Sequence, residues 1–329
     1  MIALLGVTGA GKTTFAQHAS GDKTLKVGHS IYSCTQEPQI ISFKLDGRSI
    51  SLIDTPGFDD DTRSDVEVLE QLARWLASRG HLRKNQLDGL ILLQPITAHR
   101  VGGTERKRTR LLKKILGEDA YKHIIIATTM WEQIKDENDM EERLQGRRDD
   151  LWGDMLAKGA EIVKHANNKE SAHEIIRKTI LVSEKSGKFK PLLQTELIGN
   201  PLVVETTAGK DVKKQLEKQI GNTRRQLEDH MKKKPPRPQP HRKNTSEANA
   251  MARIKRREWD NDRKTQQETL DMLQFRLKRL SSLSVSCSLS FLQVRYARGK
   301  SGMEFAGSIK ARGTHFLALL TLCFQTVQT

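Results

Sequence analysis

The chain has 329 residues, of which 36% are hydrophobic and 29% charged, and a formal net charge of +16. That length admits one large domain or two small ones, on the polar side for a globular chain. Its three cysteines, Cys34, Cys287 and Cys323, are spaced too widely for a disulfide framework or a metal-binding pattern, and no leader precedes the first apolar run, so the expected compartment is cytoplasmic. The basicity is uneven: residues 231–280 hold fifteen Lys and Arg against six Asp and Glu, while the front of the chain is nearly neutral.

In chain order, Ile2–Leu5 reads as a buried parallel strand that runs straight into G-V-T-G-A-G-K-T, Gly6 to Thr13. This is the phosphate-loop pattern G-x-x-x-x-G-K-[ST]. Gly6, Gly9 and Gly11 permit tight turns, so that backbone N–H groups face phosphate oxygens. The helix expected after Lys12 adds its own free N–H groups and positive dipole end. The expected phosphate contacts are Gly6, Thr8, Gly9, Ala10, Gly11, Lys12, Thr13 and Thr14. Lys12 is the expected catalytic cation on the β- and γ-phosphates, and Thr13 the expected Mg²⁺ ligand.

Pro38–Leu45 and Ser49–Ile53 read as antiparallel strands joined at Asp46-Gly47, a hairpin signal. The second runs into Asp54-Thr55-Pro56-Gly57, a D-x-x-G box. Asp54 there is placed to hold Mg²⁺ through water, and the Gly57 N–H to meet a γ-phosphate. Between the two boxes, Thr35 is the candidate switch threonine, as γ-phosphate sensor and third metal ligand, with Ser30, Ser33 and Thr24 as rivals. Ser64 is set to cap a helix running to about Arg79, with Val66, Leu69, Leu72 and Leu76 on one face.

Leu87–Ile96 reads as a buried strand, Thr104–Leu116 as a basic amphipathic helix and His123–Thr129 as another buried strand. One long polar helix is expected over Asp139–Lys158, then a strand Glu161–His165 and a helix Ser171–Leu181. The alternation predicts an α/β fold, a mostly parallel doubly wound sheet with one antiparallel edge strand, and ligands at the carboxyl ends of the strands. Both phosphate boxes fall there.

Base contacts are expected from the loops after the last two strands. A guanine reader needs a carboxylate that accepts from the ring N1–H and the exocyclic amine. Thr129-Met130-Trp131-Glu132 offers Glu132 for that role, with Thr129 beside it and Trp131 or Met130 as an apolar surface. After the next strand, Asn167 or Asn168 is the candidate for the base edge. Val203–Lys210 is a rival segment.

GVTGAGKT, SCT, DTPGF and TTMW at these separations resemble the septin-, Toc- and immunity-associated (GIMAP/IAN-type) branch of P-loop GTPases. The closest likeness is to the fungal group labelled "G domain-containing protein", whose pattern "RVGG" at Arg100–Gly103 also resembles. The resemblance covers about residues 1–220. It implies a Ras-like core, GTP and GDP with Mg²⁺, slow hydrolysis, and homodimers formed across the nucleotide face. Glu132 departs from that group's Asp. Phe58 stands where Ras-like enzymes carry the Gln that orients water, so hydrolysis is expected to need help. Arg100, Arg63 and His29 are candidates for added positive charge.

The predicted domains are a G domain over 1–185, a helical extension over 186–231, a basic Pro-rich linker over 232–245, a charged helix over 246–280 and a poorly ordered tail over 281–329. The tail helices, Val212–Met231 and Ala248–Leu280, have an apolar seam that is helical but irregular, a partly coiled-coil or disordered basic arm. Its charge suits an anionic membrane surface or an acidic protein. No stacking aromatics are interleaved, so sequence-specific nucleic-acid binding is not expected. The apolar run His315–Phe324 is shorter than the roughly 20 residues a spanning helix needs. Two functions stand: a slow GTPase whose nucleotide state controls dimerisation, peripheral to a membrane or free, and a non-catalytic GTP-binding scaffold that works through its arm.

Overall fold

A computed structural model describes residues 1–25, 39–55, 64–78, 86–235, 246–285, 295–299 and 302–306. At its centre is a six-stranded sheet ordered β2-β3-β1-β4-β5-β6. The strands are β1 Ile2–Gly6, β2 Gln39–Leu45, β3 Arg48–Asp54, β4 Gly89–Pro95, β5 Ile124–Thr129 and β6 Glu161–Lys164. Only β2 runs antiparallel, paired with β3 from Gln39↔Asp54 to Leu45↔Arg48. Asp46 and Gly47 close that hairpin with φ of 51° and 76°, the two positive values a tight two-residue turn requires. The sheet is the mostly parallel, doubly wound one that the alternation of elements predicts, with the Ras-like core that the resemblance implies.

β1 sits between β3 and β4, so the chain leaves it on one side and returns on the other. The mouth of that switch point lies after Gly6, where open α/β sheets bind ligands. Along β1 the side chains alternate between two cores. Ile2 and Leu4 pack with Phe15 and Ala16 of α1 (Lys12–Ser20) and with Ile175 and Ile176 of α6 (Lys169–Ser186). Ala3 and Leu5 face the other way, toward α2 (Asp65–Ser78) and α3 (Gly103–Leu116). Ser64 caps α2 through a reciprocal box: the Ser64 N–H donates to Glu67 Oε2 at 2.8 Å and the Glu67 N–H to Ser64 Oγ at 3.4 Å.

The single helix expected over Asp139–Lys158 is three pieces. α4 spans Glu137–Arg147, a π-helical turn spans Arg148–Trp152, and α5 spans Gly153–Ala157. Arg147, Leu151, Trp152 and Met155 are all buried along this run. α6 also starts earlier than expected, because Asn168 rather than Ser171 is its cap: Asn168 Oδ1 accepts from the Ser171 N–H at 2.9 Å.

Beyond α7 (Leu192–Gly199), the long helices α8 (Thr207–Lys232) and α9 (Ser246–Ser282) form an antiparallel hairpin. Its two ends are marked by contacts. His230 and Trp259 stack at 5.0 Å, and the Val203 N–H donates to Leu283 O at 3.1 Å. The hairpin is docked on the sheet domain. Val212 and Leu216 of α8 and Leu270, Leu273 and Leu280 of α9 join the core that holds α2 and α3. Arg279 pairs with Glu67 at 3.4 Å and Glu70 at 2.7 Å, both on α2. The segment after residue 280, expected to be poorly ordered, starts with bonded backbone: Leu202 bridges Ser284 and the Val285 N–H donates to Pro201 O at 2.8 Å. A two-stranded antiparallel ribbon, β7 Arg295–Gly299 and β8 Gly302–Ala306, follows. No helix among the described residues is long and apolar enough to cross a membrane.

Candidate functional site

The loop between β1 and α1 is shaped by its glycines. Gly6, at φ 149°, abuts β4 so closely that a Cβ there would lie 2.4 Å from Leu93 O. Gly11 holds φ 89° as the N-cap of α1, and no side chain caps that end. The first-turn N–H groups of α1 are therefore left for an anion, aided by the helix dipole. Thr8 Oγ1 is buried inside the loop with no hydrogen-bond partner among the described residues.

Lys12 is 7% exposed. Its ammonium donates to Gly6 O at 3.0 Å and Val7 O at 2.9 Å, which leaves one proton for an incoming anion. Burial pushes its pKa down to about 8, against the opposing pull of Asp54. Thr13 and Asp54 meet directly: Thr13 Oγ1 donates to Asp54 Oδ2 at 2.8 Å. Thr55 Oγ1 donates to Leu4 O at 2.6 Å, which ties the end of β3 to β1. A hydroxyl and a carboxylate at hydrogen-bond distance beside a phosphate-shaped loop are hard oxygen donors, the set that suits Mg²⁺.

Thr129, at the end of β5, is buried and donates from Oγ1 to Ala10 O at 3.2 Å. It braces the phosphate loop from the side. Trp131 is pinned by its Nε1–H, which donates to Thr128 O at 3.0 Å, and Lys164 lies over its ring at 4.5 Å. Glu132 is exposed in the short turn Trp131–Gln133, after Met130 at φ 65°. β5 and β6 pair as far as Thr128↔Lys164, so the loop with Glu132 and the loop with Asn167 and Asn168 lie side by side. Asn167 holds φ 52°, and the Asn168 side chain is engaged as the cap of α6.

The structure thus brings together Gly6 to Thr14, Asp54 and Thr129, with Glu132, Asn167 and Asn168 at the neighbouring strand ends. Thr35, Gly57, Phe58, Arg63 and His29 lie outside the described residues. The rival segment Val203–Lys210 has a different task. Thr206 caps α8 by accepting from the Gly209 N–H at 3.0 Å, and Glu196 accepts from Thr207.

Sequence reasoning missed a buried polar network next to the site. Arg147 is 1% exposed. It donates from Nε to Glu105 Oε1 at 3.0 Å and from Nη2 to Ala98 O at 3.0 Å, while Arg143 donates to the Thr97 carbonyl. Gln94 Nε2 reaches the same Glu105 oxygen at 3.0 Å. Burial pushes the Glu105 carboxyl up and Arg147 opposes it. Together these groups hold the loop between β4 and α3, which carries Arg100. Nothing in the local sequence separates Arg147 from its charged neighbours.

Among solved structures, the chain is similar to Toc33 from Arabidopsis thaliana in complex with Mg²⁺ and GMPPNP, at 14% identity and a TM-score of 0.43 over 56% of this chain and 83% of that one. It is similar, at 14% identity and a TM-score of 0.46 over 58% and 84%, to chloroplast translocon components atToc33 and psToc159, for which dimerization is important for the GTPase activity. Era in complex with MgGDPNP and nucleotides of 16S ribosomal RNA matches at 17% identity, with a TM-score of 0.41 and 55% of each chain covered. The fold rests on the strand order described above, and the family on the sequence itself. Residues 1–183 match the AIG1 family, and the chain therefore belongs to it, within the immunity-associated branch of P-loop GTPases that its motifs resemble.

Proposed function

We propose that this protein binds GTP and GDP with Mg²⁺, hydrolyses GTP slowly, and self-associates across its nucleotide face in a nucleotide-dependent way. The observation that carries the reading is the convergence of Lys12, Thr13 and Asp54 at the mouth of the switch point. Thr13 and Asp54 would hold Mg²⁺, which when bound neutralises phosphate charge. The chain's own part is to cradle the phosphates with loop N–H groups, place the Lys12 charge and exclude water. Glu132 and the loop of Asn167 and Asn168 are the proposed base contacts, and Thr129 braces the phosphate loop through Ala10.

Phe58 offers no group to orient water, so positive charge from a second molecule is the expected source of acceleration, with Arg100 on the braced loop as the proposed donor. Turnover measured over a protein concentration series tests this. The rate per molecule should rise with concentration in the parent and stay flat in Arg100→Ala. A parent rate independent of concentration rejects the self-association mechanism.

The scaffold reading also has an observation in its favour. On α9, Met251 and Ile254 are exposed beside Arg253, Lys255 and Arg257, a pattern suited to an anionic surface. Retention of GTP for hours without turnover at every concentration would favour it.

A pH dependence follows from Lys12. Below about pH 8 the free chain already carries the ammonium, whereas above it nucleotide binding has to take up a proton. GDP affinity should therefore be level below pH 8 and fall by up to about tenfold per pH unit above it. The same group contributes to the stability of the free chain with the opposite sign. Between the folded value and the ordinary 10.5, the unfolded state holds the proton that the folded state has released, so this contribution to stability rises with pH. A GDP titration series between pH 6.5 and 9.5 checks the first; a level affinity throughout contradicts it.

A further inference from the structure

Beneath the loop that follows β6 lies a polar network that phosphate chemistry does not use. His165 is 3% exposed and lies one residue beyond β6, where its N–H still donates to Thr128 O at 2.9 Å. Its ring packs edge-on against Phe15 of α1, with centroids 5.1 Å apart. His165 Nδ1 is 2.7 Å from Ser171 Oγ, and that oxygen accepts from the Ala166 N–H at 3.1 Å. Ser171 therefore grips the loop twice, since its own N–H donates to Asn168 Oδ1. Between these two holds sits Asn167 in its left-handed conformation, which costs energy in an unconstrained chain.

The proton positions follow from the partners. Ser171 Oγ has one proton to give. Its acceptors are His165 Nδ1 at 2.7 Å and Asn168 O at 3.3 Å, and the nearer is His165. His165 then carries its own proton on Nε2. That nitrogen and His18 Nδ1 are both buried without a hydrogen-bond partner among the described residues. The centroids of the two rings are 6.4 Å apart. Burial, with the neighbouring His18, holds His165 down to about 4, so it stays the neutral acceptor that this arrangement needs.

We propose that His165 and Ser171 are positioning residues for base selection: they hold Ala166, Asn167 and Asn168 in the one conformation that a guanine edge meets, and the His165 ring, packed on Phe15, ties that loop to the helix that carries Lys12 and Thr13. The inference rests on the guanine-nucleotide reading above. It explains why a buried histidine with no phosphate or metal to serve stands at the root of this loop.

The test is calorimetric titration of the full chain with GDP and with ADP, both with Mg²⁺. Ser171→Ala and His165→Phe, the latter keeping a ring against Phe15, should each weaken GDP by about tenfold, the scale of one hydrogen bond, and leave ADP within about twofold. Ser171→Thr keeps the hydroxyl and should retain the parent's GDP/ADP ratio. A merely structural role would shift melting temperature and weaken both nucleotides together. Unchanged ratios in Ser171→Ala and His165→Phe, from a parent that prefers GDP, overturn this inference alone. A parent that binds GDP and ADP alike overturns the guanine reading, and this inference with it. Should His165→Phe fail to fold, the Ser171→Ala and Ser171→Thr pair decides.

Discussion

Lys12→Ala should lose at least about a hundredfold in affinity for GDP. The side chain is buried, so its charge acts on phosphate oxygens through little intervening water, and a charge-assisted contact of that kind is worth on the order of 3 kcal/mol or more. The substitution also removes the two hydrogen bonds to Gly6 O and Val7 O that shape the loop without ligand. Both losses act in the same direction on binding. The fold should survive, because the ammonium's burial is itself unfavourable, as the lowered pKa records. A fluorescence titration of a labelled GDP checks the result. Parent-like affinity in a folded Lys12→Ala chain is incompatible with the phosphate-loop assignment.

The second large effect is on stability. Arg147→Met should cost about 3 kcal/mol, because it leaves the half-buried Glu105 carboxylate without its nearest cation. Glu105 keeps Gln94 and the Gly102 N–H as partners, but neutral donors only partly offset the lost charge. The Ala98 carbonyl also loses its donor. Adding Glu105→Gln to Arg147→Met should recover part of the loss, since an uncharged pair carries less desolvation penalty. Urea unfolding of the parent, the single and the double variants measures this. A loss below about 1 kcal/mol in the single variant would mean that the network contributes little.

These two residues also mark how much could be read from sequence. Lys12 was legible because the chemistry it serves is local. Three glycines, a lysine and a threonine must follow one another to wrap a phosphate, and an apolar strand must lead into them. Asp54 was legible for the same reason, at the end of a strand with its turn residues beside it. The hairpin at Asp46-Gly47 needed only two residues of the right conformational freedom.

Arg147 was not legible because its partner is 42 residues away and its own neighbourhood is uniformly charged. The break at the π-helical turn was hidden because Leu144, Arg147, Leu151, Trp152 and Met155 stand at the spacing of one unbroken helical face. At the start of α6 two capping types, Asn168 and Ser171, stand three apart, and propensity alone does not rank them. The hairpin of α8 and α9 was legible as helices but not as a docked layer. Its hold on α2 combines an irregular apolar seam with Arg279, one basic residue in a basic arm, meeting Glu67 and Glu70.

The functional reading stands on a guanine nucleotide held by Lys12, Thr13 and Asp54 with Mg²⁺. The most direct measurement is a competition titration of the purified, nucleotide-free chain with GDP and ADP, each with Mg²⁺ and with EDTA. GDP should bind about ten- to a hundredfold tighter than ADP, the scale of one charge-assisted base contact, and its binding should weaken when Mg²⁺ is removed. Equal affinity for the two nucleotides, or GDP binding indifferent to EDTA, would contradict that reading.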